Sequence, residues 1–593
     1  MRRSVHRLVL SFGSIAAALT LIIGFSLWRL MLGPIELDRL TPYVEEAFNR
    51  STDGLRIAIS GVRLTIDRYD RRLDLQLEGA RLSHPDGELL ATFSEMSASF
   101  SLGALLRANL MPSRLVVEHP VLLFIRDRRG KIEIGFGSQN TNGSSLGPEI
   151  LERAAGAPDP VASFGLVPEV VIRDATLRLV DEQTGRRWQA DGVDATMERD
   201  GEDLTGHLST ALGVGARAAQ LHARYRYSSS GKTLDLAAEV GAIEPSALAA
   251  LLPELAPLAA VNLPVSGTFE TRFDLARLTI DGARLDAGFG AGSIRSSFLP
   301  GGELALRQGE LHAVYAADTG QMRVTKFNLD LGGGSVLTVK GSLDAVSPGL
   351  IAGTGSTPSD IPGKLGIALT NVPVASLGTL WPPTLSPGGR RWVLTNVHDG
   401  VLDQAAVQLD LRIDPGAGSA EIVSAHGSMR YHDLTINYLR GLAPVRRVSG
   451  TATLADRRLE FTPTGGAVKS VQVTGGSLDI SNLGAPVEWQ TIDLTLAGPI
   501  RDVLEVIDVK PLRYAHGIGV DPARVAGRTE FNLHFRFPLL SSLKLDDVEY
   551  GVKASLTDAA IAKAAMGRDL SSANFLARDR SARRPSRRKC AFR

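Results

Sequence analysis

Two short motifs in the sequence resemble parts of enzyme active sites. Gly143-Ser144-Ser145-Leu146-Gly147 matches the nucleophile elbow of serine hydrolases, which requires a strand before the serine and a helix after it. Here the motif lies in a stretch rich in Gly, Asn, Ser and Pro, which is typical of a linker. Gly231-Lys232-Thr233 matches the end of a phosphate-binding loop, but Arg226 stands where that loop needs its first glycine. We interpret the first motif as coincidence and the second as a hairpin turn.

Residues that commonly bind metals or transfer protons are present but not clustered. The eleven histidines are scattered, and no two of them stand at metal-binding spacing on a helical segment. The single cysteine, Cys590, excludes a disulfide framework and a thiolate metal site. Asp410 and Asp493 alternate with apolar residues, so they are expected on hydrated strand faces. The sequence predicts no enzyme, no cofactor and no metal site; an exported hydrolase that uses Ser145 is the alternative.

Length and charge exclude several classes of protein. The chain has 593 residues, of which 44% are hydrophobic and 22% are charged, unlike a disordered or fibrous chain. Lys and Arg number 65 against 64 Asp and Glu, so the formal net charge of +1 offers no nucleic-acid-binding signature. At roughly 150 residues per domain, this length corresponds to about four domains or to one elongated architecture that grows by repetition.

An apolar segment near the N-terminus, residues 8–28, has the length of a transmembrane helix. Its 21 residues carry no charge. At about 1.5 Å per residue they extend roughly 32 Å, enough to cross the hydrocarbon core of a bilayer. Arg2, Arg3 and Arg7 precede the segment, so the N-terminus is expected in the cytoplasm and the body across the membrane. We predict a single-pass, uncleaved signal anchor; a cleaved signal peptide is the alternative.

Beyond this segment, apolar and polar residues alternate with a period of two. The clearest runs are residues 407–413, 492–496 and 531–537. This period places one apolar face and one hydrated face on each strand, as in antiparallel sheets. The parity of the apolar positions changes near Gly61, which predicts a bulge or a bend there.

Short helical segments interrupt the strands. Residues 35–52 have the apolar spacing of one amphipathic helix, which is expected to pack on the first sheet edge. Shorter interruptions are expected at residues 245–258, 374–380 and 501–507.

The apolar faces of so many strands must be covered. Several β-sandwiches with dry cores are one solution, and a single long sheet curled into a trough is the other. Aromatic residues, the usual plugs of sandwich cores, make up only 6% of the chain, which favours the trough. The predicted fold class is therefore mainly β: an N-terminal transmembrane helix followed by a long, curled, mostly antiparallel β-sheet groove with short helical interruptions.

Such a trough has an apolar lining along which lipid acyl chains move without contact with water. Each methylene buried there contributes ~0.8 kcal/mol. The residues predicted to contact lipid are nine apolar members of these three runs: Val407, Leu409, Leu411, Ile413, Leu494, Leu496, Phe531, Leu533 and Phe535. For any one of these side chains, a place in a structural core is the alternative.

An ordered series of residues between positions 370 and 560 resembles the central domain of YhdP-like proteins of the AsmA superfamily. The series is Leu380-Trp381-Pro382, Arg391-Trp392, Gly400, Gly427, Leu434, Tyr438, Pro444, Val448-Ser449-Gly450, Pro511-Leu512-Arg513-Tyr514, Gly519 and Asp521-Pro522. Residues 245–264 and the sheet after the apolar segment are also similar, so the resemblance covers residues 1–570. No motif in the series is catalytic, and its specificity lies in the order of the residues.

The resemblance implies a bridge-like lipid transport protein of the AsmA and TamB type. Such a protein is anchored in the inner membrane of a Gram-negative bacterium and carries phospholipid along a periplasmic β-groove between the inner and outer membranes. Some relatives are linked to outer-membrane protein assembly or export, so a membrane-tethered scaffold for envelope assembly is the alternative function. The expected partners are the inner membrane through residues 8–28, phospholipid acyl chains, and outer-membrane or envelope proteins; nucleic acid is not expected.

The chain is predicted to contain five regions. These are residues 1–33 (cytoplasmic N-terminus and signal anchor), 34–137 (N-terminal helix and sheet), 138–163 (flexible linker), 164–570 (central groove region) and 571–593 (basic tail). Family members continue further, whereas the strand pattern here is expected to stop near Ala565. The tail holds eight Lys and Arg against the single Asp579 from position 578 onward. We interpret it as non-native sequence of a truncated or frameshifted chain, with a basic arm for anionic headgroups as the alternative.

Overall fold

The structure of the chain is a computed structural model. It describes residues 28–30, 32–51, 56–67, 72–83, 89–101, 112–126, 132–136, 167–182, 185–201, 203–214, 217–249, 253–277, 279–346, 360–417, 419–438, 441–508, 514–517, 519–540, 547–565 and 568–580, together with Phe25 and Leu543.

The protein is mainly β, and its strands pair mostly antiparallel in an open sheet. The chain divides into two units. The first comprises Met1–Ala259, Pro264–Leu285 and Ile351–Thr354, and the second comprises Ala260–Leu263, Asp286–Leu350 and Gly355–Arg593.

The strands before residue 260 build most of the first unit. They are β1 (Ile35–Glu36), β2 (Arg56–Ala58), β3 (Gly61–Asp67), β4 (Arg72–Ser83), β5 (Leu89–Ser101), β6 (Arg114–Glu118), β7 (Val121–Arg126), β8 (Ile132–Phe136), β9 (Glu169–Asp181), β10 (Arg186–Asp200), β11 (Asp203–Val214), β12 (Arg217–Ser228) and β13 (Thr233–Ile243). From β9 to β13 each strand pairs antiparallel with the next in sequence.

One part of the first unit departs from the expected antiparallel pattern. Strands β6 and β7 both run parallel to β9, through the pairs Val116–Val171 and Leu123–Arg178. These strands lie on either side of the predicted linker, residues 138–163, which itself lies outside the described residues. The two sides of that segment therefore share one sheet.

The predicted N-terminal helix is shorter than its apolar spacing indicated. Helix α1 spans Thr41–Ser51, while Ile35–Glu36 joins the sheet as β1 beside β3. Proline at position 42 fits the first turn of a helix, because its missing N–H has no partner there. The side chains of Glu45 and Asn49 accept hydrogen bonds from the backbone N–H groups of Ile59 (2.6 Å) and Ile57 (2.8 Å), so α1 packs on a sheet edge as predicted.

The parity change near Gly61 is a real interruption of the strand. Strand β2 ends at Ala58 and β3 begins at Gly61, yet Ile57, Ile59 and Val62 all lie in one buried cluster. The predicted bend is confirmed.

The remaining strands begin after residue 260. They are β14 (Val261–Asn262), β15 (Val265–Asp274), β16 (Thr279–Phe289), β17 (Gly292–Arg295), β18 (Glu303–Leu306), β19 (Gln308–Ala316), β20 (Gln321–Gly332), β21 (Ser335–Leu343), β22 (Ile361–Pro373), β23 (Val397–His398), β24 (Val401–Asp414), β25 (Ser419–Ile436), β26 (Val445–Ala455), β27 (Arg458–Val468), β28 (Val471–Ser481), β29 (Trp489–Pro499), β30 (Val525–Pro538), β31 (Glu549–Ala565) and β32 (Arg568–Arg580). Strand β15 belongs to the first unit, where it pairs with β13.

The main sheet of the second unit is an antiparallel series. From β19 to β32 each strand pairs with the next, except that β22 pairs directly with β24. Among the described strands, no pairing joins the first member of this series to the last, so the sheet is open. Strands β14, β17 and β18 form a separate three-stranded sheet, which the sequence did not predict.

Helical interruptions lie at the three predicted positions and at two further ones. They are α2 (Pro245–Leu248), α3 (Leu377–Leu380), α4 (Pro387–Asn396), α5 (Ile500–Ile507) and α6 (Tyr514–Gly517), with short 3-10 turns at Asp38–Leu40, Pro253–Ala260, Pro300–Gly302, Val374–Ser376 and Pro522–Arg524. Helices α4 and α6 were not predicted, because neither has an extended apolar periodicity.

The strand pattern continues beyond its expected end. The sequence indicated a stop near Ala565, whereas β32 follows β31 and pairs with it antiparallel as far as Arg580. Residues 568–580 have alternation too weak to be recognised without the pairing partner. The rest of the predicted tail, residues 581–593, lies outside the described residues.

Most of the predicted signal anchor, residues 8–28, also lies outside the described residues. Its described members are Phe25 and Trp28, whose rings are 5.6 Å apart. In the part of the chain that the structure describes, no helix is both long enough and apolar enough to span a bilayer.

Candidate functional site: the apolar face of the second unit

The alternation in β24 separates two chemically different faces of the second unit. Val407, Leu409, Leu411 and Ile413 point to one face and are half-buried. The polar residues between them, of which Asp410 is one, point to the other face and are exposed. We call the first the apolar face and the second the polar face.

The strand register joins these side chains into rows that cross the sheet. Residues directly opposite one another on neighbouring strands share a face, with Cβ atoms about 5 Å apart. One such row contains Leu329, Leu337, Leu369, Ala405, Met429, Ala452, Phe461, Leu478, Ile492, Phe535 and Tyr550. At about 4.8 Å per strand, the row extends roughly 50 Å. It contains no charged residue.

Bulges keep the apolar face continuous where the sequence parity changes. The pairing of β24 with β25 shifts between Leu402 and Gln404, and that of β25 with β26 shifts between Tyr431 and Leu434. A single extra residue turns the following side chains to the opposite face. Leu402 and Tyr431 consequently lie in one cluster with Ala405 and Met429.

Short helices cover the apolar face along one edge of this sheet. Helices α3 and α4 are inserted between the end of β22 and the start of β24, and α5 is inserted between β29 and β30. These insertions fall at the same ends of the strands, which we call the helix edge. The strands turn tightly at their opposite ends, for example between Asp414 and Ser419, and we call this the turn edge.

Three clusters of buried residues lie at the helix edge, whereas other buried residues of this sheet, among them Leu329, Ile361 and Ala452, lie away from it. Val372, Leu402, Tyr431 and Val448 form one cluster, against which Leu377 and Leu380 of α3 pack. A second cluster contains Val471, Leu496 and Phe531, with Val503 of α5 packed against it. A third contains Ile500, Val525 and Ala559. The helices thus provide the second layer that the sheet needs to make a dry core at this edge.

Polar side chains form hydrogen bonds with one another on the polar face. Asp493 accepts a hydrogen bond from His534 Nδ1 at 2.6 Å, and Asp410 accepts one from Ser424 Oγ at 2.6 Å. Both aspartates are exposed, as predicted from their alternation. Solvation and local pairing account for them without an acid-base role.

The nine residues predicted to contact lipid fall into two groups. Leu496 and Phe531 are directly paired and only 8% exposed, and they belong to the core under α5, where Leu494 and Leu533 also pack. Val407, Leu409, Leu411, Ile413 and Phe535 are half-buried on the apolar face. The sequence predicted the same lipid contact for all nine residues. Alternation indicates which face of the sheet a side chain is on, but it does not indicate whether a helix covers that side chain.

The first unit has a similar but shorter apolar row. It contains Val170, Met197, Gly206, Tyr225 and Leu236, each opposite the next on neighbouring strands from β9 to β13. Sequence reasoning did not single out these residues, although Leu234, Leu236 and Ala238 alternate with polar or small neighbours.

The structure describes one of the two motifs that resemble parts of active sites. Ser145 and its motif lie outside the described residues. Lys232 lies in the turn between β12 and β13, and Thr233 begins β13 opposite Ser228. The predicted hairpin turn is confirmed at that position.

Burial of Tyr431 in the helix-edge core makes the stability of the second unit sensitive to high pH. Desolvation raises the pKa of its phenol to about 12. The folded state keeps the phenol neutral while the unfolded chain ionises near pH 10, so its contribution is intact below pH 10 and lost between pH 10 and 12. We expect a loss of about 1.4 kcal/mol between pH 8 and pH 11, roughly half of the full effect.

The measurement is denaturant unfolding at pH 8 and pH 11 of the protein and of Tyr431→Phe. The phenylalanine variant has no phenol to ionise and is expected to lose less stability between the two values. An identical pH dependence of the two proteins would contradict this prediction.

Comparison of the chain with protein-family models, with curated proteins and with solved structures finds no match.

Proposed function

We propose that this protein carries phospholipid between the inner and outer membranes of a bacterial envelope, with acyl chains lying on the apolar face of its β-sheet. The observation that supports this is the charge-free row from Leu329 to Tyr550, which crosses the second unit from β20 to β31. A hydrocarbon chain leaving a bilayer loses ~0.8 kcal/mol per methylene exposed to water, and an apolar surface of this extent offsets that cost at every step.

The partial exposure of the mid-strand side chains favours an accessible apolar face, as lipid transport requires, over the closed core of a sandwich. In a sandwich, the middle of each strand is the driest part, because the facing sheet covers it. Here Leu409 and Leu411 keep part of their surface accessible, while Leu402 and Tyr431 are buried beside α3. A sheet that leaves its apolar middle accessible suits a mobile apolar ligand, and we propose the finer architecture of a curled groove.

The proposal includes the membrane context that the sequence indicates. Residues 8–28 serve as an inner-membrane anchor with the N-terminus in the cytoplasm, and the body lies in the periplasm. The resemblance to YhdP-like proteins of the AsmA superfamily supports the same assignment. In this function the protein moves its ligand without chemical change, and it requires neither a catalytic group nor a cofactor.

Site-specific photo-crosslinking tests the proposed function. With p-benzoylphenylalanine in place of Leu409, we expect irradiation of the full chain in its native membrane to capture phospholipid, detected by mass spectrometry. The matched control replaces Asp410, the next residue on the same strand, whose side chain points to the polar face. We expect at least fivefold less lipid on the control.

Equal capture at positions 409 and 410 would count against lipid on the apolar face. Absence of lipid at both, together with compact protease-resistant fragments, would instead favour a tethered scaffold for envelope assembly built from dry modules.

A further inference from the structure

The solvent exposure of the apolar face differs between the helix edge and the turn edge of the second unit. Within β24, Leu402 near the helix edge is 8% exposed, whereas Leu409, Leu411 and Ile413 toward the turn edge are half-buried. The same strand therefore passes from a dry core at Leu402 to an accessible apolar surface at Leu409 over roughly 23 Å, at about 3.3 Å per residue.

We call the part of the apolar face along the helix edge the helix-edge strip. It is covered by the protein's own short helices. Leu377 and Leu380 of α3 cover the cluster around Leu402, and Val503 of α5 covers the cluster around Phe531. Close packing of protein interiors leaves no room for a second apolar layer beneath these helices.

We call the part of the apolar face along the turn edge the turn-edge strip. Exposed aliphatic side chains lie at its border. One row of this strip contains Tyr315, Met322, Leu343, Gly363, Leu411 and Ile422, each opposite the next on neighbouring strands. Tyr315 is only 7% exposed and Ile361, opposite Ile413, only 2%, so the strip is accessible at Met322 and from Leu411 to Ile422 rather than along its whole length. Ile422 lies on the part of β25 that extends past β26 and is 57% exposed. Val423, Val487, Leu539 and Leu540 are also exposed at this edge, and we call these four residues, together with Ile422, the turn-edge lip.

The chemistry of this strip matches hydrocarbon better than peptide. The backbone N–H and C=O groups bond in the plane of the sheet to neighbouring strands, so its face offers a peptide no hydrogen bonds. The side chains in this row are apolar apart from the hydroxyl of Tyr315, which donates to the backbone oxygen of Val346. A bound peptide would leave its own polar backbone unsatisfied there, at considerable cost, whereas an acyl chain would not.

From this asymmetry we infer that acyl chains occupy only the turn-edge strip and load sideways across the turn-edge lip, while the helix-edge strip is permanently filled by α3 and α5. This inference rests on the proposed function and adds the route and orientation of the lipid. Headgroups then protrude past the lip into water, and no lipid passes beneath the helices.

Crosslinking at three positions of the full chain in its membrane tests the inference. With p-benzoylphenylalanine at Leu409, Ile422 or Leu402, we expect phospholipid capture at Leu409 and Ile422 to exceed that at Leu402 at least fivefold. Equal capture at Leu402 and Leu409 would overturn the divided face while leaving lipid transport intact. Capture at none of the three would overturn the proposed function itself.

A second measurement avoids placing a bulky crosslinker in the core. In a Cys590→Ser background, Leu402→Cys and Ile413→Cys are each treated with N-ethylmaleimide. We expect Ile413→Cys to react at least tenfold faster, and to be protected when phosphatidylethanolamine vesicles are added. Equal rates at the two positions, or no protection of Ile413→Cys by lipid, would contradict the inference.

Discussion

Replacement of Leu402 by alanine is expected to lower the unfolding free energy of the second unit by about 2–5 kcal/mol. Leu402 is 8% exposed and packs with Val372, Tyr431 and Val448 under α3. Removing most of its side chain loses the transfer free energy of the deleted carbons and leaves a cavity that the sheet backbone prevents from collapsing.

The matched control is Leu411→Ala, which removes the same atoms from the same strand. Leu411 is half-buried, so its deletion opens no closed cavity and is expected to cost less than half as much. Denaturant unfolding of the full chain, with hydrogen exchange to localise the change to β24 and β25, measures both. Equal destabilisation by the two variants would show that the turn-edge strip is also a closed core.

Replacement of Leu409 by aspartate is expected to reduce the phospholipid that co-purifies with the protein at least tenfold. A carboxylate at this position would have to lose water wherever an acyl chain covers it, and desolvation of an unpaired charge costs several kcal/mol. Each 1.4 kcal/mol of lost affinity is a factor of ten. Because the side chain retains access to solvent when no lipid is bound, the fold itself is expected to survive.

The control for this experiment is Gln408→Asp, which adds the same charge to the exposed polar face of the same strand. We expect its bound lipid to match that of the unmodified protein, measured as phosphate per mole of protein after purification. Parallel losses in both variants would attribute the effect to net charge or folding and would contradict a lipid site on the apolar face.

Much of the candidate site was readable in the sequence because strand alternation is local. Period two assigns Leu409 and Asp410 to opposite faces without any knowledge of neighbouring strands. The same reasoning located the α5 interruption and the hairpin turn at Lys232. It missed β32 and the parallel pairing of β6 and β7 with β9, because those depend on partners distant in sequence.

The division of the nine predicted residues shows where local reasoning ends. Leu496 and Leu409 are both leucines, and both stand in a run where apolar and polar residues alternate. Leu496 nevertheless lies in the core under α5, whereas Leu409 is half-buried on the apolar face. The burial of a side chain depends on whether a helix packs over its strand. The periodicity of that strand's own sequence does not contain this information.

The amino-acid sequence by itself determined the mainly β class, the apolar and polar sides of the clearest strands, and three of the segments in which helices interrupt them, since each follows from residues a few positions apart. Only the tertiary structure decided that separate strands align into rows, that bulges preserve those rows, and that one edge is covered while the other is accessible. The physical reason is that register and coverage arise from contacts between residues tens to hundreds of positions apart, whose free energies no single segment contains.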